Sequence, residues 1–195
     1  MDINKENVKK MESEYSDSIL NNVAKAINDF QHIKWKIVRF TVNIEPKPSQ
    51  RPRLCGRRIY VPGASRNTAF FHKYMMPELK DVWIDKPCII DMDVFMKTPE
   101  SFTKTQKMLA ELKILRPWTH TGDIDNLMKS YMDMIQGNKK RGHVGIMSDD
   151  CLVIGTTSNK YYSVSPRVEI TIKYMDRIPN NMYHMMKISD NPRTY

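Results

Sequence analysis

The sequence has few cysteines, few glycines and no long apolar run. Its 3 cysteines, Cys55, Cys88 and Cys151, are odd in number and lack Cys-x-x-Cys spacing, which argues against a disulfide framework or a structural zinc site. No apolar stretch approaches the roughly 20 residues of a membrane helix, and the charged N-terminus lacks the apolar core of a signal peptide. The 7 glycines form no Gly-rich phosphate loop. We therefore expect a protein of the reducing cytoplasm, without membrane contact.

Positive charge is what the chain has in excess. The 195 residues, 41% of them hydrophobic, suffice for one compact core. The net charge is +9, and because residues 1–34 hold 5 Lys/Arg against 6 Asp/Glu, the remaining residues carry 26 against 16. A basic domain of this kind attracts a phosphate backbone, with an affinity that falls steeply as salt rises. The charge distribution therefore predicts a nucleic-acid partner.

Apolar periodicity predicts alternating helices and strands. Helical spacing is present over residues 16–31, 65–76 (ending near Pro77), 102–114 (burying Leu109, Leu112 and Ile114) and 123–136. Strand-like alternation is present near residues 37–44, 87–96, 151–154 and 168–174, with a hairpin-like loop after the first strand. This order implies an α+β fold in which helices pack on a mixed β-sheet. We predict an N-terminal helical extension at 1–34, a main domain at 35–175 and a C-terminal tail at 176–195.

An acidic cluster with one lysine stands out in this basic chain. Asp125, Lys129 and Asp133 recur every four residues on the predicted helix 123–136, on a different face from its apolar stripe. Asp123 can join this row only if it lies at or before the first turn, where Gly122 permits a sharp approach. Two or three aspartates from separate elements suffice for Mg²⁺, and Asp149-Asp150 precede the next strand. The spacing therefore suggests a Mg²⁺ site that handles phosphates.

Simpler explanations of these residues exist. Asp123 could be only a helix cap, and Asp125 with Lys129 only an exposed ion pair worth a few tenths of a kcal/mol. A calcium loop of the EF-hand type is unlike this segment, because Leu127 and Met128 occupy positions that would need oxygen ligands or glycine. The segment from Asp149 onward favours the metal site over the cap and the ion pair.

The chain resembles a known family at these residues. The run Asp-Ile-Asp-Asn-Leu-Met-Lys at 123–129, then Asp133, then Asp149-Asp150 before a hydrophobic strand, is similar to the RusA-type Holliday junction resolvases. These are homodimeric, Mg²⁺-dependent endonucleases often carried by phages. The resemblance spans roughly 35–175 and is specific at about 120–153. Relatives often carry Lys-Pro before the first aspartate, where this chain has Thr121-Gly122, so a DNA contact by that lysine is not carried over.

The resemblance assigns roles to individual residues. It implies that Asp123, Asp125 and Asp150 bind the metal, Mg²⁺ with Mn²⁺ as a substitute, and that Lys129 is the catalytic lysine. Asp133 and Asp149 match acidic positions that would bind the metal or support its ligands. The expected activity is that of a crossover junction endodeoxyribonuclease with a RusA-like fold. A homodimer would act on branched DNA, chiefly four-way junctions, in a bacterial or phage-infected cell.

Two basic segments are the candidate DNA contacts. A proline-punctuated loop from Lys47 to Arg58 contains five basic residues and no acid, and a second loop lies between the predicted catalytic helix and Asp149. Basic residues in such loops are typical phosphate contacts, although a solvated loop has the same composition. The predicted contacts are Arg51, Arg53, Arg57, Arg58, Lys139, Lys140 and Arg141.

Two other functions remain open from the sequence. A different structure-selective nuclease, cutting flaps or other branches, would use the same metal chemistry. A non-catalytic DNA-binding accessory protein would use the acidic cluster only structurally. Comparing cleavage of several DNA substrates separates the first from a junction resolvase, and complete absence of cleavage would favour the second.

Overall fold

The structure, a computed structural model, describes residues 9–10, 15–48, 53–56, 58–60, 69, 71–118, 121–137 and 145–179. These residues fall into two compact units, one within Met1–Trp35 and Met175–Tyr195 and the other within Lys36–Tyr174. No helix in these ranges is long and apolar enough to span a bilayer. The predicted boundaries at 34/35 and 175/176 remain a prediction.

The first unit contains the predicted N-terminal helix, α1, at Asp17–Gln31. Arg177 forms a 2.6 Å ion pair with Asp29 near the end of α1, and Lys34 and Asp176 exchange two hydrogen bonds. No residue of α1 is buried, and the apolar side chains Ile19 and Val23 on the helix and Tyr15 before it are 44–49% exposed.

The main sheet has four strands in the order β1-β6-β4-β5, with β1 at Trp35–Val42, β4 at Cys88–Lys97, β5 at Val153–Ser163 and β6 at Arg167–Met175. β4 pairs in parallel with β5 and antiparallel with β6. The sheet is therefore mixed, and the α+β prediction is confirmed. Alternate residues of the central strand β4 are buried because helices cover one face of the sheet; they are Cys88, Ile90, Met92 and Val94.

A small hairpin follows β1. Its strands are β2 at Arg53–Cys55 and β3 at Arg58–Tyr60, paired antiparallel. Gly56 lies in the turn with a φ of +60°, a left-handed conformation that glycine adopts without a steric penalty. The predicted hairpin-like loop is confirmed.

The helical region before β4 differs from the prediction at its end. A π-helical turn at Phe71–Met75 continues into a short helix, α2, at Met76–Leu79. The predicted end near Pro77 is wrong, because Pro77 lies in the first turn of α2, where a backbone N–H has no helical partner to lose. Most of the predicted stretch before Phe71 lies outside the described residues.

The helix α3 spans Lys104–Glu111 and is shorter than predicted. Thr103 and Gln106 exchange two hydrogen bonds that form a capping box at its start. Beyond its end, Lys113 has a φ of +61°, and Leu112 and Ile114 are 62% and 68% exposed. The prediction that these two side chains are buried is wrong, because the helix ends before it can turn them toward the sheet.

The helix α4 spans Ile124–Ile135 and agrees closely with the predicted 123–136. Leu127, Tyr131, Met134 and Ile135 are fully buried and belong to the core that includes Ile90 and Ile172 of the sheet. Burial of each large apolar side chain stabilises the fold by about 2 kcal/mol. This packing fixes the rotation of α4, so its opposite face carries Asp125, Lys129 and Asp133 into solvent.

Candidate active site

The start of α4 leaves the first aspartate free of a capping role. Gly122 adopts a φ of +78°, and Asp123 occupies the N-cap position in extended conformation. The backbone carbonyl of Asp123 accepts from Leu127 N at 3.1 Å, but its side chain makes no capping hydrogen bond. The capping explanation for Asp123 therefore lacks the bond on which it depends, and the exposed carboxylate is available to a ligand.

The acidic row on α4 does not form the simple ion pair that its spacing allows. Among the described residues, no salt bridge joins Asp125 to Lys129, and both side chains are exposed. Two unpaired opposite charges one turn apart add little stability in water. Their placement is consistent with a site that receives its partners from outside the chain.

The pKa of Asp133, the last residue of the row Asp125, Lys129 and Asp133, responds to the charge of the distant Asp150. Partial desolvation raises the pKa of Asp133 above its ordinary value, the nearby Lys129 ammonium opposes this rise, and the negative charge of Asp150 adds to it. Charges influence one another in this way only at short range. Asp150 therefore lies within electrostatic range of Asp133.

A buried segment of the chain, residues 145–147, leads into Asp149 and Asp150. Ile146 and Met147 are fully buried. Their backbone groups form hydrogen bonds with Ile84 and with residues at the end of α4. Ile84 N donates to Ile146 O at 2.8 Å, whereas Ile146 N donates to Ile135 O at the end of α4 at 2.9 Å. Gly137 N donates to Met147 O at 2.7 Å. The segment 145–148 therefore ties the end of α4 directly to the approach of Asp149.

The two neighbouring aspartates have different local roles. Asp149 Oδ1 accepts from Cys151 N at 2.9 Å and caps a 3₁₀ turn at Asp150–Leu152, and this bond holds the pKa of Asp149 below its ordinary value. Asp150 is exposed. The strand predicted from Cys151 begins only at Val153, because the cap on Asp149 favours the turn. Asp149 thus shapes the turn, and Asp150 presents its carboxylate.

The thiol beside this pair is a poor metal ligand. Partial desolvation, the hydrogen bond and charge of Asp149 and the charge of Asp150 raise the pKa of the exposed Cys151 to about 11. A thiol binds metals as the thiolate, so at neutral pH the nearby donors are carboxylate oxygens. Oxygen donors fit a hard cation such as Mg²⁺ or Mn²⁺ rather than zinc.

The raised pKa of Cys151 has a measurable consequence. In the folded, metal-free protein at pH 8, we expect iodoacetamide to label Cys151 about tenfold more slowly than in the urea-unfolded chain, because the thiolate is the reacting form. The labelling rate should increase as the pH rises toward about 11. Mass spectrometry of the labelled peptide measures this rate. Equal labelling in both states would show that the thiol is not in the described environment.

Not every predicted site residue is brought together. Within the described parts of the chain, no three His, Cys, Asp or Glu side chains stand close enough to hold a metal ion. Convergence of Asp123, Asp125 and Asp150 therefore remains a prediction. Their oxygen atoms are donors that a divalent ion such as Mg²⁺ prefers, and they come from two separate elements, the start of α4 and the turn at Asp150–Leu152.

The predicted DNA contacts are only partly described. Arg51, Arg57, Lys139, Lys140 and Arg141 lie outside the described residues, whereas the backbones of Arg53 and Arg58 belong to the hairpin β2-β3. The beginning of the basic loop can be placed, because a Cβ added at Gly122 would lie 2.9 Å from Pro48 Cγ. The loop therefore starts beside the residue that precedes Asp123.

Lys160, which contacts the residues before Asp123, was not predicted from the sequence as a site residue. Lys160 Nζ, on β5, donates to Gly122 O at 2.9 Å and to Thr121 Oγ1 at 3.3 Å. In the sequence, Lys160 shares its alternation with Thr156 and Ser158, and nothing in that pattern indicates which element the strand faces. The contact spans 38 residues and depends on the tertiary fold.

The fold is a mixed sheet with packed helices, and one of these, α4, carries an exposed acidic row. Residues 43–173, most of the chain, match the family model described as Endodeoxyribonuclease RusA. The chain therefore belongs to the RusA family of endodeoxyribonucleases, which are divalent-metal-dependent hydrolases of DNA. It is also similar to a protein of Bacillus subtilis (strain 168), "Uncharacterized protein YqaN", with 29% identity over 144 residues that cover 70% of this chain and 95% of YqaN.

Proposed function

We propose that the chain is a Mg²⁺-dependent endodeoxyribonuclease that resolves four-way DNA junctions by paired phosphodiester hydrolysis. The observation that supports this most strongly is the exposed row Asp125, Lys129 and Asp133 on α4, in a chain of the RusA family. The charge of Asp150 acts on Asp133 of that row. The exposed carboxylates of Asp123 and Asp125 add to it, because neither has a capping bond or ion pair among the described residues.

Asp123, Asp125 and Asp150 would hold the divalent ion, with Mn²⁺ able to replace Mg²⁺. A bound ion of this kind lowers the pKa of a water molecule and stabilises charge on the scissile phosphate. Lys129, one turn from Asp125, stabilises the negative charge that develops on the phosphate in the transition state. Asp149 keeps the turn at Asp150 in shape through its bond to Cys151 N, and Asp133 adds negative charge beside Lys129.

DNA binding would use the basic segments on both sides of the acidic site. Arg51, Arg53, Arg57 and Arg58 on the first loop and Lys139–Arg141 on the second would contact phosphates, which positions DNA without reading its sequence. The domain at 35–175 would form a two-fold dimer in the cytoplasm of a bacterial or phage-infected cell. Two symmetric sites can cut opposing strands of a four-way junction, which one site cannot do in a single binding event.

The test compares three labelled substrates: a four-way junction, a flap and a plain duplex of the same arm sequences. We expect Mg²⁺ or Mn²⁺ to support cleavage of the junction at paired, symmetric positions, and EDTA to stop it. Light scattering should give twice the mass of the 22.9 kDa chain. Preference for the flap would make the protein a different branch-selective nuclease, and binding without cleavage of any substrate would make it an accessory protein.

A further inference from the structure

Lys160 is a half-buried lysine whose ammonium binds neutral acceptors instead of a carboxylate. Its Nζ donates to Gly122 O at 2.9 Å and to Thr121 Oγ1 at 3.3 Å. No ion pair among the described residues includes Lys160. The ammonium is therefore directed to the residues before α4 by these two hydrogen bonds and not by a carboxylate.

The acceptors of Lys160 lie directly before the first predicted metal ligand. Gly122 O belongs to the peptide group that joins Gly122 to Asp123, so the ammonium restrains that peptide. Pro48 lies against the same glycine, since a Cβ added there would be 2.9 Å from Pro48 Cγ. The left-handed φ of +78° at Gly122 is thus held between two partners. Hydrogen bonds from a charged donor are stronger than neutral ones, which makes Lys160 an effective restraint.

The same face of β5 also contacts the body of α4. Thr156 Oγ1 and Ser158 Oγ donate to Met128 Sδ at 3.5 Å and 3.4 Å. Thr156, Ser158 and Lys160 alternate along the strand and therefore project on one side of the sheet. Because the first two contact the middle of α4 and Lys160 contacts the residues before it, β5 sets the position of the helix and of its start together.

We propose that Lys160 is a positioning residue for the metal site. By holding the Gly122–Asp123 peptide, it presents the Asp123 carboxylate to the divalent ion instead of to the N-terminal turn of α4. Its positive charge lies next to the peptide before Asp123. This charge also reduces the electrostatic repulsion between the carboxylates that would bind the ion. This inference rests on the proposed function, because it assumes that Asp123 is a ligand.

The test compares Lys160→Met and Lys160→Arg with the native protein in metal binding and in cleavage. Calorimetric titration with Mn²⁺ measures affinity directly, and the Mg²⁺ concentration for half-maximal junction cleavage measures it in the reaction. We expect Lys160→Met to weaken both by about 10- to 100-fold, the usual effect of removing a group that orients a ligand. Lys160→Arg should recover most of the loss, because a guanidinium donates to the same acceptors. Junction affinity in EDTA should stay within about twofold of the native value, since the phosphate contacts that dominate DNA affinity are elsewhere.

Lys173→Met is the matched control. Lys173 is also a strand lysine, on β6, but it pairs with Asp91 at 3.1 Å and contacts neither Gly122 nor Thr121 among its described bonds. This variant should bind Mn²⁺ and use Mg²⁺ as the native protein does. Thermal melting of all variants shows whether each is folded. If Lys160→Met does not fold, Thr121→Val removes one acceptor and should raise the Mg²⁺ requirement about fivefold, the effect of one hydrogen bond.

Each outcome decides the role of Lys160. A folded Lys160→Met, or in its place Thr121→Val, with native metal affinity and native Mg²⁺ requirement would overturn it. So would a loss confined to DNA affinity, which would make Lys160 a phosphate contact. A native protein that binds Mn²⁺ but cuts no DNA would overturn the nuclease proposal and leave Lys160 to be judged by calorimetry. A native protein that binds no metal would overturn both.

Discussion

We expect Asp125→Asn to reduce Mg²⁺-dependent junction cleavage by at least about 100-fold and to leave junction binding intact, because changes around a metal ligand alone cost about 10- to 100-fold. The substitution keeps the size of the side chain and removes the charge that a divalent ion needs. Asp125 is exposed in the first turn of α4 and makes no ion pair among the described residues, so its loss should not unfold the helix. Cleavage rates and electrophoretic binding in EDTA measure the two effects separately.

The matched control for this substitution is Asp17→Asn. Asp17 is also an exposed aspartate in the first turn of a helix, α1, so the change removes the same charge from the same part of a helix dipole. It should cut junctions at the native rate. If Asp125→Asn cut at the native rate as well, Asp125 would not be a metal ligand and the proposed site would be wrong.

The helix that carries the site was predictable because its signal is local. The apolar stripe of α4 recurs with the period of a helix, and the buried residues Leu127, Tyr131, Met134 and Ile135 are those that the period selects. The same period places Asp125, Lys129 and Asp133 on another face. A one-dimensional pattern is enough for such a prediction because it determines which side chains share one side of one element.

The long-range contacts around the candidate site residues were not predictable, because they join distant parts of the chain. The sequence places Asp149 and Asp150 before a strand, but the bonds of Ile146 to Ile84 and to Ile135 determine where the segment that leads into them lies relative to α4. Lys160 reaches Gly122 only because β5 lies beside α4. Strand order determines both contacts, and periodicity carries no information about strand order.

The errors in the sequence analysis occur at the ends of elements, where local chemistry competes with periodicity. Pro77 suggested the end of a helix, but proline is compatible with a first turn. Leu112 and Ile114 continued a helical pattern beyond the residue at which α3 ends. Cys151 suggested the start of a strand, but Asp149 caps a turn there. In each case a single bond or backbone angle outweighed the pattern of side chains.

Gly145→Ala should destabilise the fold by about 3 kcal/mol, the upper part of the usual cost of overpacking. A Cβ at this position would overlap Gly137 N and lie 2.6 Å from both Gln136 C and Ile135 O. These are backbone atoms at the end of α4, and they cannot rotate away as a side chain would. Relief requires the segment 145–148 to separate from α4, which breaks the 2.9 Å bond from Ile146 N to Ile135 O.

The same substitution should impair cleavage beyond its effect on stability, because the segment 145–148 leads directly into Asp149 and Asp150. Urea denaturation measures the free energy of unfolding, and the Mg²⁺ requirement at a temperature where the variant stays folded measures the site. Gly155→Ala is the control, since the nearest atoms to its Cβ would be 3.7 Å and 3.9 Å away on Ile89. An alanine there should leave stability unchanged or raise it by up to about 1 kcal/mol. A Gly145→Ala variant as stable and active as Gly155→Ala would mean that the backbones of Gly137 and Gly145 do not meet, and that this contact does not position the turn at Asp150.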